Sequence, residues 1–163
     1  MSNTLATFLP AISLATYYFR FYLARAVQHA GMGDEYVRLL QPWRDMLALG
    51  LTTWAEKNEP TRSDSHAWSA HPNFDLLTIV AGVRPGSATF SAVTIEPHLG
   101  LLKHVFAVAA HPEGEIQVEY TRAAAGVDVS ITLPQGVSGK LVWGARDYPL
   151  HEGKQRMTLP PQP

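Results

Sequence analysis

The residues best suited to chemistry lie in one polar segment, residues 51–73. Within eighteen positions it holds Trp54, Glu56, Glu59, Arg62, Asp64, His66, Trp68 and His71. Carboxylates beside indoles suit a sugar pocket, because an aromatic face packs on the C–H face of a sugar while acids and histidines bond its hydroxyls. A carboxylate there can also act as a general base on water. The alternative interpretation is a solvated loop between helices, with two tryptophans filling the core.

Other chemistries have weaker support. Asp64, His66 and His71 include metal-donor types, but their spacing matches no standard metal site. The sequence contains no glycine-rich phosphate loop, no GxSxG and no HExxH, so neither a cofactor nor a metal is predicted. The remaining histidines, two of which lie beside Pro, are predicted to support turns: His98, His104, His111 and His151.

Charge and cysteine content exclude several classes of function. Lys and Arg number 13 against 14 Asp and Glu, so no basic field exists to attract nucleic acid or an anionic membrane. The chain has no cysteine, which excludes a disulfide framework, a thiolate zinc site and a cysteine nucleophile. The apolar N-terminus has no basic residue before Arg20 and is interrupted by Pro10, so neither a signal peptide nor a membrane span is predicted. We expect a cytoplasmic protein, although a larger parent could be exported by a signal outside this chain.

The segments before the polar loop have helical periodicity. A first helix is predicted over residues 14–30, with large apolar residues on most faces and a glycine at its end. These residues include Leu14, Tyr18, Phe21, Tyr22, Arg25 and Val27, an arrangement that fits a helix buried against several neighbours. A second helix is predicted from Asp34 to Gly50. Pro42 either kinks it near Leu40 or divides it and starts a new helix, and the sequence slightly favours the break.

The pattern changes near residues 84–86. A third helix, FDLLTIVAGV, precedes that point, and short alternating runs separated by Gly, Pro and His follow it. Alternation is clearest at Ile116, Val118 and Tyr120, and it recurs over residues 127–131, which predicts an antiparallel sandwich. We therefore predict an α+β chain with a helical domain over 1–84, carrying the polar loop 51–73, and a β-sandwich domain over 85–163.

The predicted helices carry apolar residues in too many directions to cover one another. Exposed apolar surface of that extent is normally buried by a partner. The chain is therefore predicted to belong to a larger helical body or to self-associate.

Several long runs resemble the C-terminal end of bacterial α-L-rhamnosidases. They are YYFRFYLARAVQHAG, then QPWRDMLALGLTTWAEKNEPTRSDSHAWSAHPNFDLL, then AGVRPGSATFSAVTIEPHLG and HPEGEIQVEY. The resemblance runs from about residue 16 to residue 120, with weaker similarity beyond. TTWAE followed by SHAWSAHP is its most specific part.

The resemblance implies a particular architecture and mechanism. Such enzymes hydrolyse terminal α-L-rhamnose with inversion, in a toroid of six helical hairpins followed by a small β-sandwich. By similarity, Glu56 occupies the position of the general base after the Thr-Thr pair, and His66 that of a histidine in the sugar pocket. Trp54 and Trp68 are expected to line the same pocket.

The family's general acid lies upstream, on an earlier hairpin to which no segment of this chain corresponds. The first hypothesis is therefore a fragment or truncated paralogue of a rhamnosidase-like hydrolase, carrying only the base half of the site. It would need a chain that supplies the rest of the toroid. The second hypothesis is a non-catalytic carbohydrate-binding module, and the third is a structural module that oligomerises through its helices.

Overall fold

A computed structural model describes residues 15–161. The chain forms two compact units, the first ending at Asp75 and the second beginning at Leu76. The secondary structure is helical up to Val80 and consists of strands from Val83 onward. The chain is thus of the α+β class, with helices followed by sheets in which most strands are antiparallel.

The N-terminal unit is built from short helices. They are α1 (Tyr17–His29), a 3-10 helix (Gly33–Leu40), α2 (Gln41–Ala48), a second 3-10 helix (Ala67–Ala70) and α3 (His71–Asp75). Thr16 caps α1 by accepting a hydrogen bond from the backbone N–H of Phe19 at 3.3 Å, so the helix begins later than the sequence predicted. Leu14 lies outside the described residues.

Pro42 marks a real break between helices. The 3-10 helix ends at Leu40, and α2 begins at Gln41 with Pro42 in its first turn. Proline suits the first turn because its missing N–H would have no partner there and its φ angle is already helical. The break that the sequence favoured over a kink is therefore confirmed.

Asp75 organises the polar core of this unit. Its side chain is fully buried, and one oxygen accepts from Arg25 on α1 while the other accepts from Tyr36 at 3.0 Å and contacts His71 Nδ1 at 2.7 Å. Burial, followed by the charge of Asp75, raises the pKa of the Tyr36 hydroxyl, which therefore remains a donor. Nearby, Trp43 Nε1 donates to the Ser69 carbonyl at 2.7 Å. These bonds join helices that are distant in sequence.

Helix α1 is buried on one face only. Tyr17, Arg20, Ala24 and Val27 are buried, whereas Tyr18, Phe19 and Tyr22 are 49%, 52% and 48% exposed. The helices described in residues 15–161 do not cover this apolar surface. Burial of Tyr18 and Tyr22 against several neighbours therefore stays a prediction for a larger helical body.

The C-terminal unit begins with a π-helical turn, Leu76–Val80, which continues the helix that the sequence placed from Phe74 onward. Eight strands follow, β1 (Val83–Pro85), β2 (Ala92–Ile95), β3 (His104–His111), β4 (Gly114–Ala123), β5 (Gly126–Leu133), β6 (Ser138–Trp143), β7 (Arg146–Leu150) and β8 (Gly153–Leu159). They form two four-stranded sheets, ordered β1-β2-β6-β7 and β3-β4-β5-β8.

Strand pairing departs from the expected antiparallel pattern at one place. Among the described strands five pairings are antiparallel, but β2 and β6 run parallel, in register from Ala92 opposite Ser138 to Ile95 opposite Leu141. The chain forms three strands of the other sheet before β6 returns beside β2. A methyl group at Gly139 would lie 2.0 Å from the Val93 carbonyl oxygen, so this pair requires glycine there.

Alternating apolar residues form one core with contributions from both sheets. The predicted inward residues Ile116, Val118 and Tyr120 are at most 1% exposed, and their counterparts on β5 and on β2 and β6 are buried with them. Tyr120 donates to the Ala81 carbonyl at 2.9 Å, which satisfies its buried hydroxyl. No helix in residues 15–161 has the length and apolar character needed to cross a bilayer.

The buried carboxylate should dominate the stability of the N-terminal unit. We expect Asp75→Asn to lower its free energy of unfolding by about 3 kcal/mol, because the change removes the charged partner of Arg25. Urea unfolding followed by tryptophan fluorescence measures this effect, since Trp43 lies beside the network.

Glu35→Gln is the matched control for Asp75→Asn. It breaks the exposed Arg38–Glu35 pair, which is 2.7 Å long, and should cost less than about 1 kcal/mol. Equal effects of the two substitutions would contradict the organising role of Asp75.

Candidate functional site

The polar loop folds back on itself through backbone hydrogen bonds. The His66 N–H donates to the Trp54 carbonyl at 2.8 Å, and the Glu56 N–H donates to the Ser63 carbonyl at 2.9 Å. Thr61 adds a side-chain bond to the Ser63 carbonyl at 3.0 Å. Short hydroxyl side chains favour such local bonds over a helix or a ladder. The fold-back therefore brings the backbone of Trp54 beside the backbone of His66.

Ser69 ties this loop to the helices behind it. Its hydroxyl donates to the Ala55 carbonyl at 2.7 Å, and its own carbonyl accepts from Trp43. Ser69 is fully buried and Ala55 nearly so. Ala55 precedes Glu56, and Ser69 follows Trp68. The hydrogen bond between Ser69 and Ala55 therefore fixes the backbone next to Glu56 and next to Trp68.

Glu56 is bound by a single arginine fork. Arg62 Nε and Nη2 donate to its two carboxylate oxygens at 2.6 Å and 2.5 Å. The hydrogen bond from Arg62 is the main cause of the lowered pKa of Glu56; burial opposes it, and the charges of Arg62, His66 and Lys57 lower the pKa further. Glu56 is thereby held as a carboxylate. Its residue is 9% exposed, while the Arg62 side chain is 77% exposed.

A cavity of about 290 Å³ opens in front of this carboxylate. It is lined by Thr16, Tyr18, Glu56, Lys57 and Trp68. The Tyr18 and Trp68 rings meet edge to face, with their centroids 5.6 Å apart. The cavity therefore places an acid beside two aromatic rings, which is the combination expected of a small-molecule site of this size.

His66 and Trp54 occupy different surroundings. The His66 ring lies 4.1 Å from that of Trp68, and its Nδ1 is buried without a hydrogen-bond partner among the described residues. Trp54 instead packs, half buried, on the apolar cluster that contains Trp43 and Met46. Of the predicted pocket residues, Glu56 and Trp68 line the cavity, His66 supports Trp68, and Trp54 faces the core.

The other acids and histidine of the loop lie elsewhere. Glu59 and Asp64 are exposed, and His71 belongs to the buried Asp75 network. Within residues 15–161 no three potential metal ligands of the His or carboxylate type converge.

Tyr18 is the aromatic residue of the cavity wall that sequence reasoning missed. Its place among the apolar residues of a helix predicted burial, and no local pattern distinguishes it from Tyr22. Only its contact with Trp68, fifty positions later in the chain, identifies it.

The C-terminal unit has a family match. Residues 82–158 match the model of the bacterial alpha-L-rhamnosidase C-terminal domain. No curated protein matches the chain significantly by sequence.

Solved structures extend the likeness into the helical unit. A family GH78 rhamnosidase from Bacillus sp. GL1 is 22% identical over 89% of this chain and 18% of its own, with a TM-score of 0.74. The Streptomyces avermitilis alpha-L-rhamnosidase, solved with L-rhamnose, is 17% identical over 84% of this chain and 17% of its own, with a TM-score of 0.71. The Dictyoglumus thermophilum alpha-L-rhamnosidase is 20% identical over 74% of this chain and 15% of its own, with a TM-score of 0.68.

These matches confirm the resemblance noted in the sequence. The chain has the fold of a C-terminal portion of α-L-rhamnosidases, and its residues 82–158 match the C-terminal domain model of the bacterial enzymes. It spans less than a fifth of the length of the solved rhamnosidases described above.

The fork between Arg62 and Glu56 predicts a measurable shift in titration. Arg62→Ala should raise the Glu56 pKa toward the ordinary glutamate value, because it removes the main hydrogen bond and charge that lower it. Carbon NMR of the glutamate carboxyl groups over a pH series measures the change. Arg44→Ala is the control, because it removes an equal charge from an exposed position on α2 and should leave the Glu56 pKa unchanged. If the Glu56 pKa were the same in Arg62→Ala as in the wild type, Arg62 would not be what lowers it.

Proposed function

We propose that this chain is the C-terminal part of an inverting α-L-rhamnosidase. In this proposal its helices are the last of a six-hairpin toroid, and its two sheets form the small β-sandwich that follows. The substrate class is a glycoside with a terminal α-L-rhamnose. The family match of residues 82–158 and the structural likeness of most of the chain to solved rhamnosidases support this assignment.

Glu56 is the general base in this proposal. The single observation that carries the role is an ionised carboxylate in the cavity wall, held by Arg62. A general base must be deprotonated at the working pH, and the lowered pKa meets that need. A carboxylate has about four acceptor positions, so two bonds from Arg62 leave room for a water molecule.

The sugar would pack against the aromatic side of the cavity. Trp68 and Tyr18 are each partly exposed there and offer ring faces to the C–H bonds of a sugar. The His66 ring lies beside Trp68, and its buried Nδ1 has no hydrogen-bond partner among the described residues. A buried polar atom left unsatisfied calls for an explanation such as a bound water or a functional role. Trp54 supports the loop from the core side, so its role in sugar binding is indirect.

The general acid is proposed to come from outside this chain. An inverting pair must stand about 6.5–9.5 Å apart on opposite sides of the bond. Among the described residues Glu56 is the only carboxylate in the cavity wall, and Glu59 and Asp64 are exposed on the same loop. The same observation favours one alternative for the chain taken alone, a module that binds rhamnose without turnover.

We expect the pure chain to hydrolyse an aryl α-L-rhamnoside very slowly, since a missing acid alone costs about 10²–10⁴-fold in rate. Glu56→Gln should abolish whatever turnover remains, while rhamnose still changes the tryptophan fluorescence. The sequence left the burial of this position open. Because Glu56 is in fact nearly buried, circular dichroism must first show that the variant is folded.

Glu59→Gln is the matched control for this assay, because it removes an exposed acid from the same loop and should change nothing. Rapid turnover by the unmodified chain would sink the half-site proposal and direct attention to Glu59 and Asp64. Equal residual turnover by Glu56→Gln and the wild type would mean that Glu56 is not the base.

The exposed aromatic face of α1 predicts association. We expect the isolated chain to sediment above its monomer mass at micromolar concentration, because Phe19 and Tyr22 are each about half exposed. Replacing both by Ser should restore the monomer. Leu101→Ser changes a residue that is 81% exposed in the other unit and should have no effect. A clean wild-type monomer that binds no hydrophobic dye would exclude association through this face.

A further inference from the structure

The outward face of the sheet β3-β4-β5-β8 carries an ordered array of polar side chains. Alternation places every second residue of a strand on this face. One row across the sheet is Phe106, Glu119, Ser130 and Arg156, and the next is His104, Thr121, Asp128 and Thr158. Of these eight residues all but Ser130 are exposed.

A shallow cavity of about 580 Å³ lies over the middle of this array. Its polar lining consists of Glu119, Thr121, Asp128, Ser130, Arg156 and Thr158. Its volume is within the range of small-molecule sites. Hydroxyl, carboxylate and guanidinium groups thus line one shallow cavity on this face.

Glu119 and Arg156, the two charged residues of the first row, are not paired with each other. Ser130 on β5 lies between Glu119 on β4 and Arg156 on β8, and it pairs with both. The backbones of Glu119 and Arg156 are therefore two strand spacings apart, roughly 10 Å. The Arg156 side chain takes part in none of the ion pairs formed within residues 15–161. Asp128 accepts a hydrogen bond from Thr158 at 2.8 Å, and Glu119 contacts His104 Nε2 at 3.1 Å.

This chemistry fits a neutral polyol better than an ion. Two carboxylates near the arginine disfavour an anion, and the arginine disfavours a cation. A sugar with vicinal hydroxyls can bind the carboxylates and the guanidinium at once, because its hydroxyls donate to Glu119 and Asp128 and accept from Arg156. Phe106, which is 58% exposed beside Glu119, extends the surface with an aromatic ring for the C–H face of a sugar.

We propose that this face of the C-terminal unit is a second carbohydrate-binding surface, which takes a hexose-type ring between Glu119, Asp128 and Arg156. It requires neither Glu56 nor turnover. In a glycoside hydrolase such a surface would hold the chain to a glycan. It stands independently of the proposed activity, because every residue that forms it lies in the C-terminal unit.

Two-dimensional amide NMR of the labelled full chain tests the proposal, with L-rhamnose, D-galactose and D-mannose titrated separately. At least one sugar should shift the amides of Ser130 and its neighbours on β4 and β8 with a saturable dependence. Arg156→Ala and Asp128→Asn should each weaken that binding about tenfold, since each removes a charge-assisted hydrogen bond.

Two control variants locate the binding. Lys154→Ala removes an exposed charge from the same strand and face, one row away, and should bind as the wild type does. Glu56→Gln should also leave the β4, β5 and β8 shifts unchanged.

Three results would overturn the proposal. They are the absence of saturable shifts with all three sugars, full binding by both Arg156→Ala and Asp128→Asn, and loss of the sheet shifts in Glu56→Gln. Failure of the rhamnosidase proposal would show separately, as an absence of shifts at the Lys57 and Trp68 amides when L-rhamnose is added.

Discussion

The buried carboxylate of Asp75 is the interaction on which the candidate site depends. A buried charge is tolerated only when it is paired and hydrogen-bonded, and Asp75 obtains its partners from Arg25, Tyr36 and His71. These residues lie on α1, on the first 3-10 helix and on α3. The requirement to satisfy one carboxylate therefore sets how three helices of the N-terminal unit pack.

The packing of these helices is linked to the cavity through the contacts of Trp43 and Ser69. Trp43 packs against His71, with ring centroids 5.0 Å apart, and donates to the Ser69 carbonyl. Ser69 in turn donates to the Ala55 carbonyl. The backbones next to Glu56 and Trp68 are therefore held from the polar core as well as by the hydrogen bonds within the loop. A loop so anchored can present a carboxylate and a ring at a constant separation, which binding and catalysis both require.

The two units are stabilised in different ways. The C-terminal unit has a continuous apolar core drawn from both sheets, and polar residues lie on the outward face of its sheet β3-β4-β5-β8. The N-terminal unit has a small apolar cluster around Tyr17 and Trp43, a buried ionic network, and exposed aromatic residues on α1. Such a unit gains stability from any surface that covers those rings.

Local pattern determined much of this protein. The alternation around Ile116 and Val118 identified buried strands, Pro42 located a helix boundary, and the TTWAE and SHAWSAHP segments indicated the family and the position of Glu56. Each of these signals depends on neighbours within a few residues, so it can be recognised in the sequence without a structure. The tertiary structure decided the rest. It placed β6 parallel to β2, turned Trp54 toward the core, brought Tyr18 into the cavity wall and bound Glu56 to Arg62. These outcomes depend on long-range packing and on the pairing of charges, neither of which has a period along the chain.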